Sequence, residues 1–135
     1  MLHEIRRVTS LGQLVLWGRS MGSLCAIMFA ELYSYEVCAL VLDSPFRSLS
    51  KVVERIASRK VSLPLMVLKP VLYMIQKRAI EEAGIDLFGI DYLSVFKKLT
   101  PHLSILFVFS NFDSVVPANE VLEFYNSYTG PKDLC

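Results

Sequence analysis

Three short apolar runs punctuate the chain: Leu14 to Trp17, Ala39 to Leu42 and Ile105 to Phe109. None alternates polar with apolar, so each predicts a strand covered on both faces, as in parallel α/β sheets. The second strand is expected over Glu36 to Leu42. Between the runs lie helical patterns. Leu24 to Leu32 has almost no polar face, and Val52, Val53, Ile56 and Ala57 form one amphipathic turn pattern. Pro64 can open a further helix that Pro70 would kink or delay, with Leu72, Ile75 and Ala79 on one face. Gly84 punctuates, Asp91 to Lys98 suggests a short helix, and Ala118 to Tyr128 predicts a helix after the third strand. His3 to Thr9 predicts a frayed helical segment. The expected architecture is α/β, with about three parallel strands, connecting helices and a helical insertion over about 47–99. Connecting helices of so few strands fall largely on one face. The other face and the edge of the first strand are expected to be bare, which favours self-association.

Composition narrows the classes. With 135 residues, 53% hydrophobic and 20% charged, the chain suits one domain over 1–135 and not a disordered segment. A net charge of +1 offers no electrostatic argument for nucleic acid or an anionic membrane. The richest apolar stretch, Val61 to Ile75, is interrupted by Pro64, Lys69 and Pro70 and is too short to span a bilayer. No secretory signal pattern is visible. Cys25, Cys38 and Cys135 have no metal-like spacing, and Cys25 and Cys38 fall in apolar elements as expected buried hydrophobes. A reducing, cytoplasmic setting is the mild inference.

The chemistry gathers at Gly18-Arg19-Ser20-Met21-Gly22, between the first strand and its helix. A serine hydroxyl is a weak nucleophile and must stand clear of the backbone where a base can reach it. A sharp strand-to-helix turn exposes it, and Gly18 and Gly22, lacking Cβ, are expected to allow the close approach this needs. Ser20 would then stand at a helix N-terminus, with the Met21 amide a natural oxyanion donor. The competing reading is a glycine-rich turn that binds nothing.

Leu14-Val15-Leu16-Trp17-Gly18-Arg19-Ser20-Met21-Gly22-Ser23 resembles the nucleophile elbow of the α/β-hydrolase superfamily, most of all its serine aminopeptidase-like and depalmitoylase-like branches. Ala39 to Phe46 and Ile105 to Pro117 resemble the following strands of that fold. The resemblance implies a partial α/β-hydrolase domain running from the elbow to the acid loop. It implies that Asp113, in a loop similar to Gly-x-x-Asp-x-x-Val-Pro, is the triad acid. Ser110-Asn111 and Phe112 depart from that loop's usual residues. The helical insertion would be either a small cap or plain packing over the sheet.

Asp43 ends the second strand, where ligand chemistry collects in open α/β sheets, and is the alternative acid or a loop cap. The base is harder to place. His3 precedes Ser20, against the family order of Ser, acid, His, and His102 lies before the third strand, at the opposite edge from Ser20 and Asp113. By that order the base would follow Cys135 by about ten residues, after a Gly-Pro-Lys segment such as Gly130-Pro131-Lys132. The loop bearing the second oxyanion amide has no counterpart before Met1. The expectation is therefore the central section of a serine hydrolase acting on an ester, thioester or peptide bond of a small-molecule, acyl or peptidyl substrate. It would need no metal or cofactor and would be inactive in this form. The alternative is a non-catalytic remnant that binds partners through its bare sheet.

Overall fold

The computed structural model describes residues 12–60 and 65–135. His3 and the helical segment expected at His3 to Thr9 lie outside the described residues. Four parallel strands, β1 (Leu14–Arg19), β2 (Val37–Asp43), β3 (Ser104–Val108) and β4 (Lys132–Leu134), stand side by side in chain order. The parallel α/β sheet is as expected, with one strand more. At three residues, β4 is too short to show in the apolar pattern. Helix α1 (Met21–Leu32) joins β1 to β2. Helices α2 (Leu49–Lys60), α3 (Leu65–Ala83) and α4 (Tyr92–Phe96) lie between β2 and β3. Helix α5 (Ala118–Ser127) leads to β4.

Register decides which side of the sheet is covered. Leu16, Leu40 and Ile105 form one cross-strand row, and Gly18, Leu42 and Phe107 form the next. Both rows face the core with Leu24, Ile27 and Ala30 of α1, Phe96 of α4, and Val121 and Phe124 of α5. Parallel strands in sequence order with right-handed crossovers put these helices on a single face. On the other face lie Val15, Ala39 and Ser104, then Trp17, Val41 and Leu106. Trp17 is 77% exposed there.

Phe96 anchors the covered side. Its ring centroid lies 6.0 Å from Phe107, 5.2 Å from Phe124 and 5.6 Å from Tyr128. The Tyr128 hydroxyl donates to the Leu103 carbonyl at 2.5 Å and the Thr100 carbonyl at 3.0 Å, and burial pushes this phenol above its ordinary range. Arg47, in the loop after β2, holds the start of α4 through Asp91, with Nε to Oδ1 at 3.0 Å and Nη2 to Oδ2 at 3.1 Å. Burial works to raise the Asp91 carboxyl, but hydrogen bonds from Arg47 and Ser94 outweigh it and hold it below the ordinary range.

Several local expectations are corrected. Pro70 does not delay its helix, since α3 begins at Leu65 and runs through it for 19 residues; the opening expected at Pro64 lies outside the described residues. Gln76, with Leu72 and Ala79, takes the half-buried side of α3, and Ile75 is exposed. Gly84 does punctuate, with φ +69° just past α3 and its amide on the Ile80 carbonyl at 2.8 Å. Cys25 is exposed and not buried, because it sits with Gly22 on the side of α1 that borders the open edge of β1. The same opening corrects the expectation for Gly22. A Cβ at Gly22 meets nothing within 4 Å, whereas one at Gly18 would run into the Gly22 carbonyl and the Ser23 amide. Of the two motif glycines, Gly18 alone is sterically obligatory.

Truncating Phe96→Ala should cost about 3–5 kcal/mol of stability, read as a lowered urea midpoint. Gly18→Ala should lower the thermal midpoint markedly through backbone overlap. Gly22→Ala should be neutral or stabilising by up to about 1 kcal/mol, as an alanine replaces glycine in a helix. Equal effects of the two glycine substitutions would contradict the assigned contact.

Candidate active site

The site is built at the carboxyl ends of the strands. Strand β1 ends at Arg19 and α1 begins at Met21, so Ser20 alone makes the turn. Its φ of 51° and ψ of −117° lie in a region that residues with a Cβ rarely occupy. Three hydrogen bonds hold this conformation. The Ser20 amide donates to the Asp43 carbonyl at 2.8 Å, and the Ser20 carbonyl accepts the Ser23 amide at 3.0 Å and the Ser23 hydroxyl at 2.5 Å. Ser23 is fully buried. Met21 leads α1, where the first amides have no acceptor inside the helix and point past Ser20.

A second strained residue stands beside the first. Ser44, directly after β2, has φ 54°; its amide donates to the Val108 carbonyl at 2.8 Å and its hydroxyl to Asp43 Oδ1 at 3.1 Å. Asp43 Oδ2 lies 3.6 Å from Arg19 Nε, a pair whose arginine is 79% exposed and therefore weak. The register sets Asp43 beside Arg19 and Val108 on the same face as Trp17 and Val41.

Asp113 lies in the loop after β3. Its Oδ1 accepts the amides of Val115 at 2.7 Å and Val116 at 3.0 Å, and its own amide donates to the Ser110 carbonyl at 3.1 Å. The carboxylate thus shapes the turn into α5 while remaining half-buried. Arg55 of α2 supports this loop from outside, donating to the Val115 carbonyl at 3.1 Å and pairing with Glu120 of α5. Phe112, noted in the sequence as an irregular loop residue, is 96% exposed.

Ser20, Met21, Asp43 and Asp113 are therefore brought to one edge of the sheet. Ser20 and Asp113 follow strands two positions apart, a lateral spacing of about 10 Å with the end of β2 between them. His102 is not brought there. It is exposed before β3, in a cleft with Gln13, Tyr35 and Cys38 at the amino ends of the strands. About 16 Å of strand separates it from the Asp113 loop. Among the described residues, no three His, Cys, Asp or Glu side chains converge as metal ligands.

Four supporting residues were not singled out from the sequence. Ser23 had a local signal, since a serine three positions after Ser20 can bond back to its carbonyl. Ser44 had none, because its left-handed backbone follows from the Val108 pairing. Arg55 and Glu120 are 65 positions apart, and no periodicity connects them.

No protein-family model matches the chain, and no curated protein matches it. Solved structures do. Esterase Pf2001 of Pyrococcus furiosus is 27% identical with a TM-score of 0.62, over 91% of this chain and 43% of that one. The esterase domain of a Rhodothermus marinus protein is 17% identical with a TM-score of 0.57, over 90% of this chain and 47% of that one. An α/β-fold family hydrolase of Bacillus anthracis is 11% identical with a TM-score of 0.62, over 99% of this chain and 62% of that one. The chain spans less than two thirds of each, and what it shares with them is an α/β-hydrolase-like partial fold.

Proposed function

We propose that this chain is the nucleophile-and-acid section of a serine hydrolase. The observation that carries the reading is the strained backbone of Ser20, held between β1 and α1 over the Gly18–Gly22 contact. Strain of about 1–3 kcal/mol persists only where the surroundings impose it, and such strain concentrates at functional sites. The Ser20 hydroxyl would attack a substrate carbonyl. Its proton passes to a histidine as the Oγ–C bond forms, and the Met21 amide takes part of the oxyanion charge. The histidine returns the proton to the leaving group, and water then releases the acyl group from Ser20. Asp113 would orient the histidine, with Asp43 as the alternative acid. Esterases among the structural neighbours favour an ester over a thioester or peptide substrate. The serine aminopeptidase-like branch is the finer assignment, carried by the Gly-Arg-Ser-Met-Gly elbow. With Cys25, Cys38 and Cys135 all free thiols, the cytoplasm is the proposed compartment.

The base is proposed to lie outside these 135 residues. Cys135 pairs with Phe107 and Phe109, so β4 ends near the level of the Asp113 loop. A second reading, a remnant without catalysis, is favoured by one observation: His102 stands at the wrong end of the sheet.

The decisive experiment compares this chain with the parent polypeptide extended at both ends, assayed on p-nitrophenyl acetate. The 135-residue chain should turn over about 10⁴–10⁶-fold more slowly, and the extended chain should lose comparable activity in Ser20→Ala. Enzymic turnover by the short chain would refute an external base. Indifference of the extended chain to Ser20→Ala would refute the nucleophile.

The bare sheet face is also proposed to pair copies of the chain through Val15, Trp17 and Leu106. Sedimentation velocity should show concentration-dependent oligomers that Trp17→Lys diminishes; a monomer at all concentrations would exclude this.

A further inference from the structure

The whole-chain charge of +1 conceals a sharp asymmetry. Residues 55–80 carry six Lys and Arg and no Asp or Glu, a charge of +6 that leaves −5 for the remainder. The full α2–α3 span, 49–83, adds Lys51, Glu54, Glu81 and Glu82 and carries +4. It is also where α3 exposes apolar surface: Met66 is 86% exposed, Met74 70%, Tyr73 66% and Ile75 50%. These side chains lie on the first turn and the middle of α3. The C-terminal part instead carries the exposed pairs Lys77–Glu81 and Arg78–Glu82. Arg59 and Lys69, both exposed, flank the apolar part.

We propose that the α2–α3 pair docks on the surface of an anionic lipid bilayer, with α3 lying in the interface. A helix that shows methionine, tyrosine and isoleucine beside basic residues, with its two acidic residues, Glu81 and Glu82, confined to the last turn, combines the apolar burial and the headgroup attraction that interfacial binding needs. At 19 residues α3 is about 28 Å long, yet no described helix is long and apolar enough to cross a membrane. Lying flat is the geometry left to it. A second copy is the poorer occupant, because two such surfaces would bring like charges together. Nucleic acid would answer the charge but leave Met66, Met74 and Ile75 without burial. Arg55 of α2 reaches the Val115 carbonyl in the Asp113 loop, so the docking element adjoins the edge of the sheet that holds Ser20.

The test mixes the purified chain, cleared of aggregates, with phosphatidylcholine vesicles with or without phosphatidylserine. The chain should sediment with the phosphatidylserine vesicles, and less so as salt rises. Replacing the exposed pair Tyr73→Glu and Met74→Glu should abolish binding with the circular dichroism spectrum unchanged. Arg59→Gln and Lys69→Gln should each weaken it about five-fold. Failure of the folded chain to bind, equal binding to both vesicle types, or binding that survives the glutamate pair would overturn the proposal. So would oligomers that the glutamate pair dissolves in a chain that ignores vesicles, since they would assign the surface to a second copy.

Discussion

The contact on which the structure turns is backbone against backbone. The end of β1 at Gly18 meets the first turn of α1 at Gly22 and Ser23, with no space for a Cβ at Gly18. That approach lets a strand become a helix across one residue, and it forces Ser20 into φ 51°. The bond from the Ser20 amide to the Asp43 carbonyl then ties the turn to β2, and the Ser23 hydroxyl closes it from below. The strained position is thereby held by the sheet and the helix together.

The same adjacency continues across the sheet. Ser44 bonds to the Val108 carbonyl as Ser20 bonds to the Asp43 carbonyl, so each strand's end is fixed by the next. Two serines with positive φ stand side by side at the edge where an open α/β sheet gathers its chemistry. Asp113 reaches this edge by a different device, a carboxylate that accepts two amides of its own loop. Shaping a loop and orienting an imidazole are compatible, because a carboxylate has a second oxygen to offer.

Parallel order and right-handed crossovers place the helices on one side, so the sheet is half of a sandwich. Trp17 and Val15 are apolar because their row belongs to a sheet patterned for cover, not because they touch anything among the described residues. The α2–α3 pair departs from this scheme. Helix α2 meets the core through Val52 and Leu49, while α3 carries its own exposed apolar surface and both helices carry basic charge.

The amino-acid sequence by itself determined the α/β architecture, the apolar runs that become strands and the position of the turn at Ser20. These follow from local properties: unbroken apolar runs, helical periodicity, and two glycines around a serine. It also placed His102 at the far edge, because that depends only on which end of a strand a residue lies. What it could not separate were properties that arise between distant segments. Gly18 and Gly22 look equivalent in the motif, yet only Gly18 faces backbone, since the open edge of β1 leaves Gly22 and Cys25 uncovered. Strand β4 is too short to carry a pattern and exists because β3 offers it a ladder. Pro70 stays helical as the sixth residue of α3, just past the first turn, where a missing amide costs nothing, so the rest of the helix holds it there. The strain at Ser44 and the Arg55–Glu120 link come from pairings that only the folded chain makes.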